Sequence, residues 1–345
     1  MPHQGVSKGE RSKVLGVRTK EDRLADWPTI EDVLDARRRI APHIVRTPLH
    51  HYPALDDLVG ARIHVKHENH QALGAFKMRG ALNVISLLSP DEKKAGVVVA
   101  STGNFGQGIA YAARTFGVET KVVLPVDVNP NKVRSLRQLG ADLVFHGEKF
   151  DDALEHAERL SREEGYRFVH SANEWGLIPG VGTYALEIME DLPETDVIIV
   201  PIGGGSGACG ACIVAKAVRP EMQVIGVQAA NAPGAYLSWK QGRMVESGVD
   251  TRAEGLATRI GYELPQEIMW DMLDDFVLVE EHEMDKAVYL HVELTHSLPE
   301  HAGASPLAAA LKIKDSIAGK NVVLLMSGGN ITVDQLKASL AQAEV

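Results

Sequence analysis

Short apolar runs rich in β-branched residues recur along this chain, each followed by a segment with helical spacing. GVVVA at 96–100, VIIVP at 197–201 and NVVLLM at 321–326 are the clearest. Such a run, without alternation, suits a strand covered on both faces, and intervening helices supply that cover and make the strands parallel. The pattern predicts strands at 62–66, 96–100, 120–125, 141–145, 167–170, 197–201, 224–228 and 321–326. Between them it predicts helices at 31–40, 78–88, 105–116, 131–139, 150–164 and 208–218, with a loop at 178–182. Glycines at 117, 140 and 165 mark three of the helix ends. These units are too many for one comfortable sheet, so the fold class expected is α/β with two parallel-sheet cores flanked by helices. The expected boundaries are a mobile arm at 1–27, a large domain from 28–92 plus 175–345, and a small domain at 93–174. The cleft between two such domains is where a ligand belongs.

Composition narrows the classes of partner. The 345 residues carry a formal net charge of -10 and no long basic run, which argues against nucleic acid or an anionic membrane. No apolar stretch approaches the roughly 18 residues that cross a bilayer. The first 27 residues are charged and Gly-rich and lack the apolar core of a leader peptide. Two cysteines imply no disulfide framework and fit a reducing, cytoplasmic compartment.

Four segments lie at expected strand ends, where α/β folds place ligands. In KHENHQALGAFKMRGA (66–81), Lys77 stands at a helix start between Phe76 and Met78. The helix dipole disfavours a charged lysine there, and apolar neighbours lower its pKa further, which suits Schiff-base chemistry. Taken alone, a surface lysine explains that segment as well. STGNFGQ (101–107) joins a strand to a helix and offers hydroxyls, an amide and backbone N–H groups to a carboxylate or phosphate, or simply an N-cap. IGGGSGACG (202–210) places three successive glycines before a helix, a natural phosphate cradle. Gly205, Gly207 and Gly210 also satisfy G-x-G-x-x-G, but a dinucleotide site needs an acid about 20 positions on, where Gln228 stands. MSGGN (326–330) ends the last strand with a hydroxyl that can face a ligand or just make a turn.

These four segments, in this order, resemble the fold-type II pyridoxal 5'-phosphate (PLP) enzymes, and specifically the threonine/serine dehydratase and serine racemase branch. The similarity runs from about Thr29 to the C-terminus and includes NKVRSLRQLG (131–140) and EHAGASPLAAA (300–310). The resemblance implies a tryptophan synthase β-like fold whose large domain binds PLP. It makes Lys77 the lysine that holds the cofactor and then acts as base. It sets Phe76 against the cofactor ring and Asn104 on its 3-hydroxyl. Gly203, Gly204, Gly205, Ser206 and Gly207 become the phosphate cradle, and Ser327 the partner of the pyridine nitrogen. Ser101, Thr102 and Gly103, with Phe105, become the substrate loop. The implied activity is an ammonia-lyase that removes water and ammonia from a small β-hydroxy amino acid such as threonine or serine, leaving a 2-oxo acid. An amino-acid racemase, or a dehydratase for 3-hydroxyaspartate or an aryl-serine, is the alternative. A nicotinamide-dependent oxidoreductase is the reading from another class. A homodimer or larger homo-oligomer is also implied.

Three departures from the family pattern bear on the substrate. Ala75 replaces the usual serine two residues before the lysine, Phe105 replaces a histidine, and Ser206 replaces the fourth glycine of the cradle. Phe105 either shapes the pocket or packs the helix. Thr102 retains the hydroxyl that a racemase needs on the far side of the cofactor. Some relatives bind a divalent cation through carboxylates after the phosphate-loop helix. The matching stretch VQAANAPGA (227–235) has none, so no metal is expected there. Cys209 and Cys212 form C-x-x-C but are expected to pack. Glu280, Glu281, Glu283 and Asp285 are expected to be a solvated first turn.

Overall fold

The computed structural model describes residues 27–127 and 130–343. The arm expected over the first 27 residues lies outside them, save Trp27, which is buried. Ten strands occur among the described residues: β1 (Leu49–His51), β2 (Arg62–His67), β3 (Val97–Ala100), β4 (Thr120–Leu124), β5 (Asp142–Phe145), β6 (Arg167–Phe168), β7 (Val197–Pro201), β8 (Gln223–Ala229), β9 (Asp275–Val279) and β10 (Asn321–Met326). They form a six-stranded sheet in the order β1-β2-β10-β7-β8-β9 and a four-stranded sheet in the order β5-β4-β3-β6. Every pairing is parallel except that of β1 with β2.

The last strand is wedged into the middle of the larger sheet. Val322 of β10 pairs with Ile63 of β2 on one side and Val197 of β7 on the other. Alternate residues then serve opposite faces, as the period-two geometry of a strand requires. Ile198, Val200, Val323 and Leu325 pack with the helix Ser206–Val218, while Val197, Ile199, Leu324 and Met326 pack with the helix His301–Lys312. Both faces are covered, which is why these strands read as unbroken apolar runs.

The stretch 178–182, expected to be a loop, is helical instead, inside Leu177–Asp191. Its proline and glycines mislead for a physical reason. Pro179 falls in the first turn, where its missing N–H has no helical partner to lose. Gly180 lets this helix approach Lys77–Ser86 so closely that a Cβ would lie 2.6 Å from the Arg79 carbonyl oxygen. A second expectation also fails. Asp285 is 0% exposed rather than solvated, bonded to Arg252 and to His301.

A buried ionic cluster joins β2 to these two helices. The Arg79 guanidinium donates to Glu68 (2.7 and 2.8 Å), to Glu187 (2.8 and 2.9 Å) and to Thr183 Oγ1 (3.1 Å). Lys66 Nζ donates to Glu187 (2.6 Å) and to the Thr47 carbonyl, and Thr47 Oγ1 donates to Glu68 (2.6 Å). Two cations and two carboxylates thus balance in the dry interior. Burial opposes the charge on Arg79, but Glu68 and Glu187 more than offset it and raise its pKa. Burial likewise opposes ionisation of Glu68, yet Arg79 holds its carboxyl below the usual range. No helix among the described residues is long and apolar enough to cross a membrane.

Candidate active site

Three of the four loops singled out in the sequence leave the carboxyl ends of the adjacent strands β2, β10 and β7. The fourth leaves β3 of the other sheet. Backbone bonds tie the first two together. The Phe76 N–H donates to the Ser327 carbonyl (3.0 Å), the Gly329 N–H donates to the Gly74 carbonyl (2.9 Å), and Ala75 forms an antiparallel bridge with Gly328. Asn330 Nδ2 adds a bond to the Leu73 carbonyl (2.8 Å), so segments far apart in sequence are fixed side by side.

Lys77 opens the helix Lys77–Ser86, and no side chain caps that helix. Its Nζ donates to Ser206 Oγ (3.4 Å) at the start of the phosphate-loop helix and lies 4.9 Å over the Phe76 ring. Crowding by protein pushes its pKa down to about 8, with Glu300 pulling the other way. A share of this lysine is therefore uncharged amine near neutrality, the form that attacks a carbonyl or takes a proton. The Phe76 ring is seated against Gly207, where a Cβ would approach it to 3.2 Å, and meets Tyr184 edge-on.

The glycine loop has little space for side chains. A Cβ on Gly203 would lie 2.1 Å from the Gly255 carbonyl oxygen, and one on Gly205 would lie 2.8 Å from Pro265. Gly205 also has φ of 89°, in the left-handed region. It precedes the helix Ser206–Val218, which has no side-chain cap, so the first-turn N–H groups remain open to an anion. The dinucleotide reading loses its remaining footing here. Gly210 packs on Gly182, and buried Gln228 accepts from the Tyr236 N–H (3.0 Å).

Ser327 is buried, and its hydroxyl has no hydrogen bond among the described residues. A hydroxyl without a protein partner beside the lysine loop is free to meet a ring nitrogen. Asn104 begins the helix Asn104–Phe116 and is held from the other sheet. Its Oδ1 accepts from Asn330 Nδ2 (2.8 Å) and its Nδ2 donates to Glu300 Oε1 (2.8 Å). Ser101 turns inward and accepts from the N–H groups of Gly103 (3.3 Å) and Gly106 (3.0 Å), so its hydroxyl is spent on the loop itself. Thr102 and Gly103 stay partly exposed. Phe105 is 6% exposed and packs in the cluster with Val99, Ile109 and Met78. Of its two expected roles, the structure displays the packing one.

Sequence reasoning passed over Glu300 as a site residue. Burial pushes its carboxyl up to about 7, against the bond from Asn104. The available signal was one acid at the head of the otherwise apolar, small-residue run EHAGASPLAAA. Cys209 and Cys212 are buried with raised thiol pKa values, as packing residues should be. A surface depression of about 460 Å³ beside β6, lined by Asp91, Tyr166 and Arg167 among others, shares no residue with these loops.

An uncapped helix end behind a glycine cradle, a lysine of lowered pKa and an orphan hydroxyl fit one phosphorylated, aldehyde-bearing pyridine. The comparisons agree. The profile of the family described as pyridoxal-phosphate dependent enzyme matches residues 40–328, and the chain belongs to that family. The L-threonine ammonia-lyase of Thermotoga maritima is 40% identical over 309 residues, 89% of this chain and 77% of that one. The catabolic L-threonine dehydratase TdcB of Escherichia coli is 34% identical over 310 residues, 89% of this chain and 94% of that one. Among solved structures, the processed threonine deaminase isoform 2 of Solanum lycopersicum superposes with a TM-score of 0.89 at 29% identity, covering 95% of both chains. Maize serine racemase superposes with a TM-score of 0.86 at 31% identity, covering 91% of this chain and 97% of that one. The chain is thus a PLP-dependent enzyme of the ammonia-lyase type.

Proposed function

We propose that this enzyme converts L-threonine to 2-oxobutanoate and ammonium, with L-serine as a second substrate giving pyruvate. The observation that carries the reading is that Lys77 bonds Ser206 of the glycine loop while Phe76 bonds Ser327 and Glu300 links Asn104 to the Ser327 loop, in a chain 40% identical to an L-threonine ammonia-lyase. PLP, when bound, supplies the sink for the electron pair left at the substrate Cα. Lys77 Nζ would hold the cofactor, and its uncharged amine would be the group to take a proton from the substrate Cα. The N–H groups of residues 203–207 would hold its phosphate, and Ser327 Oγ would face its pyridine nitrogen. A neutral hydroxyl there does not force that nitrogen to stay protonated, which favours loss of the β-hydroxyl over transamination. Thr102 and Gly103 face the substrate carboxylate with open groups, while Ser101 keeps their loop in shape. Phe105 stiffens the same loop from below.

A homo-oligomer in the cytoplasm fits the family resemblance. A second reading, racemisation, is favoured by the Thr102 hydroxyl, which is partly exposed and has no hydrogen bond among the described residues. Purified protein should be yellow with PLP and lose the band in Lys77→Ala. It should release 2-oxobutanoate from L-threonine faster than pyruvate from L-serine, and recovered substrate should keep its configuration. Colourless protein that PLP cannot reconstitute sinks the reading. D-isomer appearing in step with Thr102-dependent activity moves it to the racemase.

A further inference from the structure

Glu300 is the titratable group of this cleft for which the elimination has no stated use. It begins the helix His301–Lys312, and its N–H donates to the Gly328 carbonyl (3.0 Å), which fastens it to the Ser327 loop. Its carboxyl fills the space over that loop, since a Cβ on Gly328 would lie 2.7 Å from Glu300 Oε1. Lys77, Glu254 and Lys132 are the charged groups that act on it, and Asn104 is its hydrogen-bond donor.

The amide of Asn104 has its orientation dictated by a chain of donors and acceptors. Asn330 Nδ2 donates to the Leu73 carbonyl (2.8 Å), which can only accept. The same nitrogen donates to Asn104 (2.8 Å), so Asn104 must turn its oxygen toward Asn330. Its nitrogen then faces Glu300, an acceptor when ionised. One N–H of Asn104 is spent on Glu300, and the second is left for the cleft. A flipped amide would set nitrogen against nitrogen at one end and oxygen against carboxylate at the other.

We propose that Glu300 is a positioning residue of the active site: its carboxylate locks the Asn104 amide so that the second Nδ2–H is offered to the phenolic oxygen of the cofactor. The inference rests on the PLP reading of the site. It also gives the buried carboxyl a use, because burying it costs desolvation. Replacing it separates two effects. Glu300→Gln keeps an oxygen for Asn104 and removes the charge. Glu300→Ala removes both.

The test uses the full chain and reads cofactor uptake rather than turnover. Glu300→Gln keeps PLP affinity, because its side-chain oxygen still accepts from Asn104. In Glu300→Ala the affinity falls by roughly tenfold. In an Asn104→Ala background, Glu300→Ala costs no further affinity. A loss of affinity in Glu300→Gln as large as in Glu300→Ala overturns the inference, and so does an equal loss from Glu300→Ala with and without Asn104. Wild-type protein that takes up no PLP overturns the functional reading and this inference together. Normal uptake with unmoved variants overturns this inference alone.

Discussion

Arg79→Met is the substitution whose outcome the structure specifies most fully. It keeps a similar stem volume and deletes five hydrogen bonds, four of them to carboxylates that are 0 to 7% exposed. The buried cluster then falls from balance to one ammonium against two carboxylates. Glu68 keeps only the Thr47 hydroxyl. Removing one partner of a buried ion pair costs about 3–5 kcal/mol, chiefly because the other charge is stranded. That is a large part of the roughly 5–15 kcal/mol that holds a domain folded. The urea midpoint, followed by circular dichroism, should fall accordingly. The second-site variant Arg79→Met/Glu68→Gln removes the stranded anion and restores net balance between Lys66 and Glu187, so it should recover at least half of the loss. A single variant within about 1 kcal/mol of wild type would refute the reasoning. A double variant no more stable than the single would do the same, because the cost would then lie in lost packing and not in charge.

Other outcomes follow from the same geometry. Gly203→Ala forces a Cβ to within 2.1 Å of the Gly255 carbonyl oxygen. A strain of about 1–3 kcal/mol should weaken PLP binding by roughly ten- to a hundredfold in a fluorescence titration, and unchanged affinity would show that the loop does not hold the phosphate. His67 and His291 are buried and pushed down to about 3, chiefly by burial. For His67, neighbouring His70, His50 and His291 add to the effect. Both are neutral when folded, and both take up protons near pH 6.5 when unfolded. Stability is therefore full above that pH and is lost as pH falls toward 3, by about 2 kcal/mol per histidine between pH 7 and pH 5. His291→Leu should remove about half of that slope in urea titrations, and an unchanged slope would assign it to other groups. Cys209 and Cys212 should resist a thiol reagent until the protein unfolds. Rapid native-state labelling would contradict their burial.

What the sequence disclosed and what it hid divide along a physical line. The loops at 66–81, 101–107, 202–210 and 326–330 were legible only as an ordered set, because each alone also suits a surface lysine, a helix cap or a turn. The central strands were legible because burial on both faces leaves an apolar run. The helix Leu177–Asp191 was misread because Pro179, Gly180 and Gly182 carry a tertiary meaning, close helix approach, that looks locally like a turn. Asp285 was misread because its partners, Arg252 and His301, are distant in sequence. The same holds for Arg79 with Glu187, 108 positions away, and for Asn104 with Glu300, 196 positions away. The edge strand Leu49–His51 is three residues long and leaves no periodic trace. Pairings over such spans are set by the fold, and no local pattern encodes them.

The crowding around the glycine cradle has a consequence for how such a sequence can drift. Gly203 faces a backbone carbonyl, Gly205 has a left-handed φ and a proline against it, and Gly207 faces an aromatic ring. Nearly every mutation at these three glycines adds atoms where none fit, so those positions are closed to variation even though Ser206 between them has changed. Thr102 and Gly103 sit on the other sheet, partly exposed, and a Cβ on Gly103 would meet nothing within 4 Å. Descendants of this chain can change that loop freely, while the glycines at 203, 205 and 207 pass on unaltered.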